Sequence, residues 1–368
     1  MKRYWFGLFT FAFLCVTFVW AQTPNEFKGH DGLIHSVAFS NDGMFLATAS
    51  VDGTVKIWDF PAGKERQVLK GPTPSSPINC VAFNKDGTIV ATGSLDEAIR
   101  YWNPKDGKTV KEFKNAHKGG VQSVVFSPDG SVLASGGGDN AVKLWDVKEA
   151  KELKNLGAHK GTVYNVAFSA DGTELASCGN DGVIKIWDVK GQKEIKSMMV
   201  DLPKPVVIPK EEKKDDKKKD EKDKKDKKDA KKKKEIKKEE PKELRDAFHA
   251  VAFTPDGTQV MSAGADKFLR YWSLADGKET KKIGPTKDWI FGLAVSRDGK
   301  NVATAGYGGS LHVYDIASGK EVYDDVKAKV DRKFLITYCA AFTPDGKAVV
   351  TGHDIKGKGI VKVTVISK

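Results

Sequence analysis

Through most of the chain, short runs of Val, Ile, Phe, Ala and Thr alternate with polar positions at a period near two. That alternation predicts strands with at least one face in a core. One phrase recurs seven times, a β-type run closed by Asp-Gly: HSVAFSNDG, NCVAFNKDG, QSVVFSPDG, YNVAFSADG, HAVAFTPDG, FGLAVSRDG and YCAAFTPDG. The aspartates are Asp42, Asp86, Asp129, Asp171, Asp256, Asp298 and Asp345, at successive intervals of 44, 43, 42, 85, 42 and 47. Asp-Gly between two β-rich runs predicts a tight hairpin, because glycine accepts the positive φ that such turns demand. After each hairpin a third run follows, such as TVKIWD (54–59), AVKLWD (141–146) or VIKIWD (183–188), and then a more polar fourth, such as KERQVLKG (64–71). Four strands per unit, repeated seven times, predict an all-β fold: a seven-bladed propeller.

The 85-residue interval is close to two periods but hides no eighth blade. Between Lys210 and Glu243 stand 18 lysines and 13 acids, with Ile236 the one aliphatic residue larger than alanine. Such a stretch has too little apolar surface to offset its ordering entropy. Residues 201–245 are therefore read as a flexible, charged insert, entered through DLPKPVVIP (201–209). Its surplus of five positive charges is a sizeable part of the formal +12, so the basic pI of 9.2 does not point to nucleic acid. The insert is read as a solvated spacer of mixed charge, or alternatively as an arm for anionic polymers.

The N-terminus has a separate logic. Lys2 and Arg3 precede an uncharged apolar run from Tyr4 to Trp20, followed by Ala21. Basic, then apolar, then small is the order of a secretory signal, with Val19 and Ala21 at the −3 and −1 cleavage positions. Residues 1–21 are read as a signal peptide, and the protein as exported to the periplasm or cell exterior. A retained N-terminal membrane anchor is the alternative, although the run falls short of the roughly 20 residues of a spanning helix. Cys80, Cys178 and Cys339 remain beyond this segment, each within a strand pattern. Their odd number predicts buried free thiols and not a disulfide framework. No Cys/His spacing for a metal and no phosphate-binding or dinucleotide motif occurs in usable context, so neither cofactor nor metal is expected.

The repeat resembles the WD40 family, whose unit opens with Gly-His and closes with Trp-Asp at this period. Here Gly29-His30 opens the first unit, and Trp58-Asp59, Trp145-Asp146 and Trp187-Asp188 close three of them. Trp102-Asn103, Trp272-Ser273 and Tyr314-Asp315 are related endings, in a chain otherwise most similar in plan to secreted bacterial members. The resemblance implies blades 1–4 within residues 22–200 and blades 5–7 within 246–368. It also implies closure, because the chain ends after a third-strand pattern (359–367) and Asn25–Lys28 can supply the missing outer strand. It places the insert on the top face, between blades four and five.

The resemblance further assigns a buried structural tetrad to each regular blade: His30, Thr48, Asp52 and Trp58; His117, Ser135, Asp139 and Trp145; His159, Ser177, Asp181 and Trp187. A Ser–His–Asp set looks like a nucleophilic triad, yet this one stands complete three times, and catalysis needs one. No enzyme activity is expected. Blade two has Pro74 in place of the histidine but keeps Thr92, Asp96 and Trp102; blade five keeps Ser262, Asp266 and Trp272. Blade six has Gly308 for the aspartate, and blade seven has Thr364 for the tryptophan and a longer loop through His353–Gly359.

For partner binding, the resemblance points to top-face positions on the inner strands: His35, Asn79, Gln122, Tyr164, His249, Phe291 and Tyr338. A second ring comprises Leu33, Pro77, Gly120, Thr162, Ala247, Trp289 and Ile336, and a third Val51, Leu95, Gly138, Asn180 and Ala265. Large aromatics with few charges are the composition of interface centres. The expected role is a monomeric scaffold that binds proteins or peptides through its top face, with a glycan- or polyanion-binding propeller as the alternative.

Overall fold

The computed structural model describes residues 26–72, 76–200, 247–324 and 337–366. The signal segment, the charged insert, Pro74 and Ile336 lie outside the described residues. Seven four-stranded antiparallel sheets follow one another, each running from an inner strand to an outer one. In blade one the strands are Ile34–Phe39, Phe45–Ser50, Thr54–Asp59 and Lys64–Lys70. The predicted Asp-Gly hairpins all join first to second strands. Each turn aspartate accepts from a residue beside it, as Asp42 does from the Ser40 hydroxyl (2.6 Å) and the Met44 amide (3.0 Å).

The second and third strands are packed on both sides, so they read as nearly continuous apolar or small-residue runs. Phe45–Ser50 is buried from Leu46 onward. Small residues stand where neighbouring blades converge. A Cβ added at Gly93 would lie 2.5 Å from Val121 Cγ1, and one at Gly136 would lie 2.5 Å from Val163 Cγ1. Each of these valines begins the inner strand of the next blade. The core is accordingly a ring of seven clusters, each shared by two adjacent blades.

Closure uses both ends of the described chain. Glu26–His30 pairs antiparallel with Lys358–Val365, with Phe27 opposite Val361 and Lys28 opposite Ile360. Phe27 is buried against Trp58 of blade one, ring centroids 5.7 Å apart. Blade seven thereby gains its fourth strand and has no unpaired outer edge on Lys358–Val365.

The structure corrects one local expectation. His353–Gly359 is not a loop. Ala348–Ile355 and Lys358–Val365 form a long hairpin paired throughout, turning at Lys356 (φ 54°) and Gly357 (φ 78°). Positive φ at both central residues is the two-residue turn whose twist suits paired strands.

Candidate functional site

The residues of the three regular polar tetrads are hydrogen-bonded to one another. In blade one His30 Nδ1 is 2.8 Å from Asp52 Oδ2, its Nε2 is 2.7 Å from Thr48 Oγ1, and Trp58 Nε1 donates to that oxygen at 2.9 Å. Blade three repeats this with His117, Asp139 (2.7 Å), Ser135 (2.7 Å) and Trp145 (2.8 Å). Blade four does so with His159, Asp181 (3.0 Å), Ser177 (2.8 Å) and Trp187 (2.8 Å). The carboxylate only accepts and the indole only donates, which sets the order: Nδ1–H faces the aspartate and the hydroxyl hydrogen faces Nε2. Burial works against the Asp52 charge, but hydrogen bonds from His30 and Thr54 overrule it and hold its pKa well below the usual carboxylate range. Burial lowers His117 despite the neighbouring Asp139. Thr48, Ser135 and Ser177 are wholly inaccessible, so none of these hydroxyls can meet a substrate.

The irregular blades replace the network in ways the sequence reading missed. In blade two Arg100 takes the histidine's part, bonded to Asp96 Oδ2 (2.8 Å) and to Glu112 Oε1 (2.7 Å). In blade five Arg270 binds Asp266 and Glu279 in the same manner. Both arginines occupy the third-strand position held by Lys56, Lys143 and Lys185 elsewhere. The signal was there: IRYW and LRYW occur in two of the blades that lack the histidine. In blade seven His353, from the second strand, bridges Thr337 Oγ1 (2.9 Å) and Thr351 Oγ1 (2.7 Å).

Blade six departs furthest. Thr286 stands in the histidine's place, Tyr314 in the tryptophan's, and Thr304 Oγ1 and His312 Nε2 are buried without a hydrogen-bond partner. Among the described residues, His312, Glu321 and Asp324 are close enough together to share a cation. His312 Nδ1, however, already lies 2.8 Å from Glu321 Oε1, so the cluster is satisfied as a hydrogen-bonded pair with Asp324 beside it. It carries no metal assignment.

The top-face positions converge on the central channel. His35, Asn79, Gln122, Tyr164, His249, Phe291 and Tyr338 all line a cavity of about 780 Å³ whose wall, among the described residues, contains no Asp, Glu, Lys or Arg. Five of these side chains form a continuous arc of rings. His35 stacks on Tyr338 at 4.9 Å and Tyr338 stacks on Phe291 at 4.6 Å. Phe291 meets His249 edge-on at 4.9 Å, and His249 meets Tyr164 at 4.9 Å. Burial lowers both histidines, His249 to about 4, so the arc is uncharged at neutral pH. Opposite the arc, blades two and three offer amides: Gln122, and Asn79, whose Nδ2 donates to the Val121 carbonyl (3.0 Å).

Trp289 stands outside the channel on the rim of blade six, half exposed, edge-on to Phe291 at 6.4 Å. Beside it is a residue missed from sequence, Tyr307, also half exposed, whose backbone N–H donates to the Trp289 carbonyl (2.9 Å). Tyr307 belongs to the ring of Val51, Leu95, Gly138, Asn180 and Ala265. The sequence does not mark it, because in blades one to five an aspartate follows this position and blade six has Gly308 there.

The WD domain, G-beta repeat family matches residues 22–59, 63–103, 107–146, 150–188, 244–273 and 277–315. The chain is a WD40 repeat protein. The family matches stop before blade seven, which the structure supplies through the hairpin and closing strand described above. Short segments are similar to curated proteins, among them ribosome biogenesis protein erb1 of Botryotinia fuckeliana, 44% identical over 43 residues, 12% of this chain and 6% of that protein. Transducin beta-like protein 2 of Homo sapiens is 56% identical over 34 residues, 9% of this chain and 8% of that protein. Target of rapamycin complex subunit wat1 of Schizosaccharomyces pombe is 43% identical over 53 residues, 14% and 16% respectively. The WD40 chain thus spans less than a fifth of any of these relatives, and all three are eukaryotic, not bacterial.

Proposed function

We propose that this WD40 protein is a non-catalytic scaffold, working outside the cytoplasm, that holds one or more proteins or peptides at the mouth of its central channel. The observation that carries the reading is the arc from His35 through Tyr338, Phe291 and His249 to Tyr164, set in a wall without charged side chains. Rigid aromatic surface that loses no charge hydration on contact is what the energetic centres of interfaces use. The family supports the scaffold class. The names of two relatives, a complex subunit and a biogenesis protein, are in keeping with assembly work. Export rests on the order of charges and apolar residues in residues 1–21.

The glycan or polyanion reading draws on the lysines of 201–245, since the channel offers no cation to an anionic polymer. Affinity capture separates the two. Wild type, a deletion of 203–243, and Tyr164→Ala combined with Trp289→Ala are compared as baits at low and high salt. The scaffold reading expects a protein retained at high salt by wild type and by the deletion, and lost by the aromatic variant. Capture that survives the aromatic variant but vanishes with salt or with the deletion overturns it, because polyanion binding falls steeply with ionic strength.

A further inference from the structure

Blade six carries an exchange that the other blades lack. In blades one, three and four a glycine before the inner strand (Gly32, Gly119, Gly161) faces the turn that holds the tetrad aspartate (Asp52, Asp139, Asp181). In blade six the residues are interchanged: the acid, Asp288, precedes the inner strand, and the turn carries Gly308. The two sites are matched, since a Cβ at Gly308 would lie 2.8 Å from Asp288 Oδ2. The glycine opens the space that the carboxylate occupies.

The carboxylate has also lost its usual partners. Asp52 is bonded to His30, Thr54 and the Asp31 amide. Asp288 is half-buried, and its one hydrogen bond is made by the backbone carbonyl, which accepts from Thr286 (2.8 Å). Lys267 donates to the Lys287 carbonyl (3.2 Å), and no ion pair among the described residues reaches Asp288. An acid moved out of its network therefore stands on the top rim without an ion-pair partner among the described residues. On either side of it are Trp289, next in the chain, and Tyr307, next to Gly308, exposed by 50% and 51%. A carboxylate whose neighbours along the rim are two exposed aromatic residues has the chemistry that recognises a cation carried on an apolar stem.

We propose that the rim of blade six binds a cationic side chain of a peptide partner, Asp288 pairing with the charge while Trp289 and Tyr307 cover its stem. This rests on the channel mouth being a peptide site and assigns the chemistry of one residue beside it. Arginine suits the position best, because its planar guanidinium both pairs with a carboxylate and stacks on rings.

The test uses the full chain and two synthetic peptides, acetyl-Gly-Ala-Arg-Ala-Gly-amide and the same peptide with neutral citrulline for arginine. Binding is followed by NMR at the Trp289 indole N–H, identified by its loss in Trp289→Phe. The arginine peptide should shift that signal and the citrulline peptide should bind about tenfold or more weakly. Asp288→Asn should weaken the arginine peptide by a similar factor and leave the melting temperature unchanged, since among the described residues no hydrogen bond depends on the carboxylate, the Asp288 contact with Thr286 being made by the backbone carbonyl. Equal binding of the two peptides, no effect of Asp288→Asn, or no shift at all overturns the inference. Failure of the broader reading looks different. A captured protein that is lost with Phe291→Ala but kept by Asp288→Asn preserves the scaffold and removes the cation subsite. Arginine binding through Asp288 without any protein held at the mouth removes only the scaffold.

Discussion

At the scale of single residues, the blades show that one task, tying the turn to the third strand, can be done by two chemistries. Where the histidine is present, its ring links carboxylate and hydroxyl. Where it is absent, Arg100 or Arg270 reaches the aspartate from the third strand. Truncating Arg100 to alanine leaves Asp96 without its cation in a mostly buried setting and Glu112 with only the exposed Lys114 at 3.9 Å, and should cost about 2–4 kcal/mol in urea unfolding. A loss below about 1 kcal/mol would mean that the guanidinium sits at the site without holding it. His353 makes a pH-dependent counterpart. Burial lowers its pKa to about 4, from an ordinary 6.5. The unfolded chain takes up a proton below pH 6.5 that the folded one refuses until about pH 4. Stability is thus unaffected above that window and falls as pH drops through it, by about 1.4 kcal/mol per unit. His353→Gln should flatten the slope of unfolding free energy against pH between those limits, and an unchanged slope would assign it to other groups. The regular tetrads were legible in the sequence because their offsets repeat. The arginines were not, because attention to a missing histidine does not reveal what stands in for it on another strand.

At the scale of elements, packing between blades sets which residues the second strand can hold. Gly93 and Gly136 face the valines that open the next inner strand, at distances that leave no room for a methyl group. Gly136→Val should strain the blade three to blade four junction by about 1–3 kcal/mol, whereas Gly257→Val, whose Cβ would meet nothing within 4 Å, acts only through its positive φ of 67°. Thermal unfolding of the pair tests this. A larger loss at Gly257 would show backbone conformation outweighing interblade fit. Strand order and hairpins were legible because Asp-Gly marks every first turn and the apolar period marks every strand. The second hairpin of blade seven was not, since Lys356-Gly357 inside a stretched repeat reads like loop. The aromatic arc needed both levels: register placed its members on one side of the inner strands, but only the closed ring brings His35 of blade one against Tyr338 of blade seven.

At the scale of the whole molecule, seven shared cores form a circle with no end, and its seam is the one place where the circle depends on distant parts of the chain. Phe27 in the closing strand and Phe113 in the outer strand of blade two are structural equivalents, facing Val361 and Ile99 across their sheets and packing on Trp58 and Trp145. They fill similar space, so Phe27→Ala and Phe113→Ala should each lower global stability by about 3 kcal/mol. Their consequences for local opening should differ. The strand bearing Phe113 follows directly from the third strand of its own blade, whereas Glu26–His30 joins blade seven by hydrogen bonds and continues covalently into blade one. Detaching it requires no other blade to unfold, and the free energy of that opening is smaller than the global one. Hydrogen exchange at the amides of Lys358–Val365 should therefore rise sharply in Phe27→Ala at a temperature where the other blades stay protected. In Phe113→Ala exchange should rise together across the ring. Uniform exchange in both variants would mean that the seam is as cooperative as the rest of the propeller. The arc would then lose His35 from Tyr338 only on complete unfolding, and never through opening of the seam.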